Sequence, residues 1–166
     1  MKKLNLLKGI IDFVWLITIA SIPFIILFIG YIIIFSEGFI PIKVNGTEII
    51  ANTVATKILL FSLSIAYIVL VYCIYLFRKI LRLFQQRKIF DSLVIENFNK
   101  IGYLLLFASI VGGVSNFIVQ FKKHKITLEI SLNSYVLMFC MGLFLLVLSE
   151  VFKISKSQKE ENELTV

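Results

Sequence analysis

The chain has 166 residues, 59% of them hydrophobic and 16% charged. A soluble domain carries about 25% charged residues, so a water-soluble globule is excluded, and four apolar runs leave too little chain for a further domain of about 50 residues or more. The net charge of +7 points to anionic headgroups rather than to direct nucleic-acid binding, because no basic helix or fold stands clear of the apolar runs.

Phe13–Ser36, Ile58–Phe77, Ile101–Phe121 and Ile130–Ser149 contain no Asp, Glu, Lys, Arg or His, and they are 24, 20, 21 and 20 residues long. A hydrocarbon core of roughly 30 Å needs about 20 apolar helical residues. Each run is therefore read as a span of one four-span membrane domain, 1–166. Met1–Lys8 ahead of the first run resembles a signal peptide. The run is too long for an h-region and no A-x-A site closes it, so it is read as an uncleaved span. Pro23 is expected to kink it, which neighbouring helices tolerate by satisfying the released carbonyl.

The first outer connection holds Asn45-Gly46 between Ile40–Val44 and Thr47–Ile50, the sequence signal of a tight hairpin. Span two should continue past Phe77, because Arg78, Lys79, Arg82 and Arg87 alternate with Ile80, Leu81, Leu83 and Phe84 without Gly or Pro. Such a helix lays a basic face against water and lipid phosphates. Phe90-Asp91-Ser92 reads as a break, with Asp91 or Ser92 capping the helix that leads into span three. In the second outer connection Ile126, Leu128, Ile130 and Leu132 alternate with polar residues, which argues a half-buried strand. Span four then begins later, so the spans lie at about 13–36, 58–77, 101–121 and 135–152. The expected fold class is all-α membrane: a four-transmembrane-helix bundle with a small extracytoplasmic β cap, hairpin plus one strand.

Twelve of the 17 Lys and Arg residues lie at the N-terminus, in residues 78–100, or after Phe152. The other five are Lys43, Lys57, Lys122, Lys123 and Lys125. Basic residues concentrate in cytoplasmic connections. The expectation is a multi-pass protein of the cytoplasmic (inner) membrane with both termini and the central loop inside.

Span three has the most patterned face: Ser109, Gly112, Gly113, Asn116 and Gln120 recur at three- and four-residue spacing. Small residues admit close helix approach and amides bond across helices. The face is a packing seam, within one chain or between copies in a homo-oligomer, or else it lines a path. Glu150 is the acid at the edge of span four. It is a functional candidate, or it pairs with Lys153 or with Arg78 or Lys79 at the same depth. Cys73 and Cys140 read as small apolar packing residues. His124 stands in a basic patch without a second metal ligand. No Ser-His-Asp set, HExxH or phosphate loop occurs, so neither enzymatic activity nor a cofactor or metal is expected. The polar tail Lys153–Val166 reads as a frayed helix end.

Arg78-Lys-Ile-Leu-Arg82, Lys88-Ile-Phe-Asp-Ser92, Glu96-Asn97, Lys100-Ile-Gly102, Leu146-Val-Leu-Ser-Glu-Val-Phe-Lys153 and Glu161-Asn-Glu-Leu-Thr-Val166 form one pattern. In these segments the chain resembles a bacterial domain-of-unknown-function family of small four-span inner-membrane proteins. One departure is Ile154-Ser-Lys-Ser157, where that family usually has a Gly-containing basic turn. The resemblance implies no established activity. It does imply genes that often neighbour small helix-turn-helix regulators, and hence a membrane sensor or sequestering partner of such a regulator. The residues that would dock it are Arg82, Arg87, Phe90, Asp91, Glu150, Glu161 and Glu163. Alternative readings are an immunity or resistance protein against a membrane-active peptide, and a small transport or channel subunit.

Overall fold

The computed structural model describes residues 2–34, 41–44, 47–50, 54–122 and 134–164. In chain order these form α1 (Lys2–Ile34), β1 (Pro41–Val44), β2 (Thr47–Ile50), α2 (Val54–Gln85), α3 (Ser92–Lys122) and α4 (Ser134–Leu164). All four helices are long and apolar enough to cross a membrane. Each is longer than its apolar run: α2 and α3 contain theirs whole, while α1 and α4 overlap most of theirs, and all four persist into flanking charged residues. α1 passes through Pro23 as one helix. α4 continues through Ile154–Ser157 to Leu164. No glycine stands there to stop it, and the i,i+4 pairs Lys156–Glu160 (3.7 Å) and Lys159–Glu163 (3.5 Å) support the extension. At 1.5 Å per residue the helix reaches about 18 Å past Phe152. Lys153–Leu164 is therefore a helical arm rather than a frayed end.

The helices pack in sequence: α1 on α2, α2 on α3, α3 on α4. The core joins Cys73, Leu76 and Ile80 of α2 to Val94, Phe98, Ile101 and Leu105 of α3 and Leu145 of α4. α3 and α4 cross at Gly102 and Gly142, where a Cβ on either would come within 3.0 Å of the other's carbonyl oxygen. Dispersion at such close approach, rather than the hydrophobic effect, holds helices together in lipid. α1 lies at the edge. Phe13, Leu16, Phe24 and Leu27 are each more than 60% exposed, as a helix facing hydrocarbon requires.

Polar contacts fix α1 against α2. Arg78 Nε donates to Asp12 Oδ1 at 2.5 Å and its guanidinium lies 3.9 Å from the centre of the Trp15 ring. Gln85 donates to Asn5 at 2.9 Å, and the Ser21 and Tyr67 hydroxyls hydrogen-bond to each other. The start of α1 therefore lies beside the end of α2. Ser149 donates to the Ile95 carbonyl at 2.9 Å, which brings the latter part of α4 to the start of α3. The N-terminal helix, the α2–α3 turn and the C-terminal helix thus share one end of the bundle.

The expected β cap is not supported as such. The described sheet has two antiparallel strands, with Pro41 opposite Ile50 and Val44 opposite Thr47. The turn at 45–46 and the segment 125–132, where the third strand was expected, lie outside the described residues, as does His124. Two four-residue strands are marginal alone, so the pairing found does not amount to the three-stranded cap.

Candidate functional site

The turn between α2 and α3 is built by two interlocking helix ends. At the end of α2 the Lys88 N–H donates to the Leu83 carbonyl and the Arg87 N–H to the Phe84 carbonyl, both at 3.0 Å. These two bonds define a Schellman cap, whose closing residue is in the left-handed conformation. Arg87 takes that position with φ of 61°, although glycine would fill it without a Cβ penalty. Asp91, further along the turn, caps α3: its Oδ1 accepts the Leu93 N–H at 2.9 Å and its carbonyl accepts the Val94 N–H at 3.0 Å. Of the two expected caps the structure uses Asp91, not Ser92. Phe90, between the two ends, packs on Phe152 of α4 with ring centres 6.1 Å apart. Phe152 also meets Phe84 at 6.2 Å and Phe98 at 5.5 Å, so this aromatic cluster pins the turn to α4.

This docking opens a cavity of about 360 Å³ between the turn and the C-terminal part of α4. Arg87, Lys88, Phe90 and Asp91 line one wall; Lys156, Lys159, Glu160 and Glu163 line the other. Four of the sequence-derived candidates, Arg87, Phe90, Asp91 and Glu163, thereby meet at one place. Arg82 is exposed in the last turn of α2 and does not reach it. Glu161 accepts from Ser157 Oγ at 3.4 Å on another face of α4. Glu150 pairs with Lys153 at 3.8 Å and lines a second cavity, of about 420 Å³, with Glu96, Asn99 and Ser149. Lys156 borders both cavities. The alternative pairing of Glu150 with Arg78 is not found, because Arg78 is engaged by Asp12 on α1.

The span-three face divides. Ser109 is buried and its hydroxyl donates to the Leu106 carbonyl at 2.7 Å. Gly112 lies under the Tyr135 ring, where a Cβ would come within 2.9 Å of Cδ1, and Gly113 borders the same side chain. Gly112 and Gly113 thus lie against α4, while the Ser109 hydroxyl bonds within α3. Asn116 and Gln120 belong to α3, but their side chains lie outside the described set. An apolar crevice of about 440 Å³ opens between α1, α2 and the start of α4 at Ile25, Leu63, Tyr67 and Met138. Among the described residues no group of three His, Cys, Asp or Glu side chains is placed to hold a metal.

Sequence reasoning missed Asp12, Trp15, Gly102, Phe152 and Lys156. Asp12 was open to detection: it is the carboxylate at the N-terminal edge of span one, and Arg78 is the first cation past span two. The buried Asn97 was not. The residue is 3% exposed and its Nδ2 has no hydrogen-bond partner among the described residues, which a sequence does not reveal.

A family model matches residues 12–166, nearly the whole chain, and its description is a protein of unknown function, DUF2975. The chain belongs to the DUF2975 family. No curated protein and no solved structure matches it. The family assignment agrees with the uncharacterised bacterial family named from the central-loop and tail motifs, and the four apolar helices make this member of DUF2975 a multi-pass membrane protein.

Proposed function

We propose that this DUF2975 protein is a non-enzymatic inner-membrane protein with both termini in the cytoplasm, and that its cytoplasmic end holds a small helix-turn-helix regulator. The observation that carries this reading is the helical arm: α4 extends about 18 Å beyond its span and is braced at its base by the Phe90–Phe152 contact. The arm presents acids and bases in pairs. Exposed pairs of this kind are worth only about 0.3–0.5 kcal/mol each, so Glu160 and Glu163 are readily exchanged from Lys156 and Lys159 to the basic helix of a partner. Charge complementarity of this sort favours encounter and orientation more than raw affinity.

The positive-inside rule supports a cytoplasmic position for the basic end. The hairpin between α1 and α2 would then be extracytoplasmic, a candidate sensor surface. Crosslinking and co-purification from native membranes test the docking, comparing the full chain with one ended after Gln158. Recovery of a small DNA-binding protein by the full chain alone is expected. Recovery of no regulator by either chain, or unchanged regulator localisation and target transcription after loss of residues 160–166, would overturn it.

A further inference from the structure

We propose that the cavity at the α2–α3 turn binds the phosphate of an anionic membrane lipid, held by Arg87 and Lys88 with Lys156 and Lys159 opposite. Depth is the first argument. Phe90 of the cavity wall packs on Phe152, the last residue of the fourth span, and Lys156 lies one turn, about 6 Å, beyond it. The cavity therefore sits where hydrocarbon gives way to headgroups. Ile89 and Phe90, 42% and 38% exposed, offer apolar contact to the first carbons of an acyl chain.

Charge is the second argument. The lining carries four cations and three acids. In the free protein each acid already has a partner that offsets it: Asp91 accepts the Leu93 N–H, and Glu160 and Glu163 pair with Lys156 and Lys159. Among the described residues Arg87 and Lys88 have no acidic partner, so the uncommitted charge is positive. Juxtamembrane cations of this kind attract anionic lipid, and a guanidinium matches phosphate oxygens in bidentate geometry.

Strain is the third. Arg87 is the described non-glycine residue with positive φ, in a cap that glycine closes more favourably. A ligand for the guanidinium gives a reason for a side chain at a position where glycine costs less.

Native mass spectrometry of the full chain in detergent tests the site, with phosphatidylglycerol, phosphatidylcholine and inorganic phosphate as probes. One phosphatidylglycerol should be retained in preference to phosphatidylcholine. Combining Arg87→Gly with Lys88→Gln should weaken it roughly tenfold or more, for two lost charges. Lys100→Gln, which breaks the Glu96 pair at the same end of the bundle, should leave it unchanged. Arg87→Gly removes the cation while easing the backbone, so loss of lipid with undiminished thermal stability separates ligand loss from misfolding. Equal retention of the two lipids by the unaltered chain, or undiminished binding by the double variant, would overturn the proposal. Complete displacement of the lipid by millimolar inorganic phosphate would assign the cavity to a soluble anion and overturn the lipid source. No regulator is present in this experiment, so its failure is distinct from failure of the docking reading, on which it does not depend.

Discussion

Single side chains at the basic end of the bundle hold unusual positions. Arg78 makes an ion pair with Asp12 and lies over the Trp15 ring, two contacts that share one guanidinium. The Arg78 and Asp12 side chains are 21% and 37% exposed, so screening reduces the pair to about 1 kcal/mol or less. A double-mutant cycle with Asp12→Asn and Arg78→Gln should return a coupling of that order in thermal unfolding, and additivity of the two substitutions would refute the clasp. Arg87→Gly relieves a left-handed conformation that costs roughly 1–2 kcal/mol for an L side chain, so it should raise the midpoint of unfolding. Asn97 buries an amide hydrogen donor without an acceptor among the described residues. A buried polar group in that state costs about 1–3 kcal/mol, and Asn97→Leu, similar in size, should be neutral or stabilising. A marked loss of stability would show that Asn97 has a partner in the membrane.

Among the elements, the α3–α4 seam is the most constrained. Gly102 and Gly142 approach so closely that a Cβ at Gly102 would sit 2.7 Å from Leu146. Gly102→Val or Gly142→Val should force the helices apart, costing about 1–3 kcal/mol as overpacking does. Gly9→Val is the control, since a Cβ there meets nothing within 4 Å. The spans were legible in the sequence because a bilayer imposes a length and forbids charge, and the break at Phe90–Ser92 was legible because capping has its own chemistry. What was not legible was which helix neighbours which. The run of Arg78 and Lys79 at the depth of Glu150 suggested an α2–α4 pairing. α4 does meet α2 at Phe84–Phe152, but Arg78 turns to Asp12 on α1 and Glu150 keeps its other expected partner, Lys153. The docking candidates came from separate stretches of chain. Only Arg87, Phe90, Asp91 and Glu163 share a cavity, because the helical phase of α4 turns Glu161 elsewhere and Arg82 lies a turn too early.

At the scale of the molecule, four polar or aromatic contacts collect the start of α1, the α2–α3 turn and the extension of α4 at one end. Asn5–Gln85 and Asp12–Arg78 tie the first pair, Ser149–Ile95 and Phe90–Phe152 the second. That arrangement gives the basic residues of three distant segments a common face, which is what a cytoplasmic platform requires, and both the docking and lipid proposals depend on this face lying at the membrane surface. The most direct measurement is cysteine accessibility in intact cells and in permeabilised ones, in a chain carrying Cys73→Ala and Cys140→Ala. Single cysteines would replace Lys3, Gln86, Gln158 and Lys43. Labelling of positions 3, 86 and 158 only after permeabilisation, with position 43 labelled in intact cells, is the expected result. Labelling of position 3 or 158 from outside while 86 stays protected would contradict the shared cytoplasmic end.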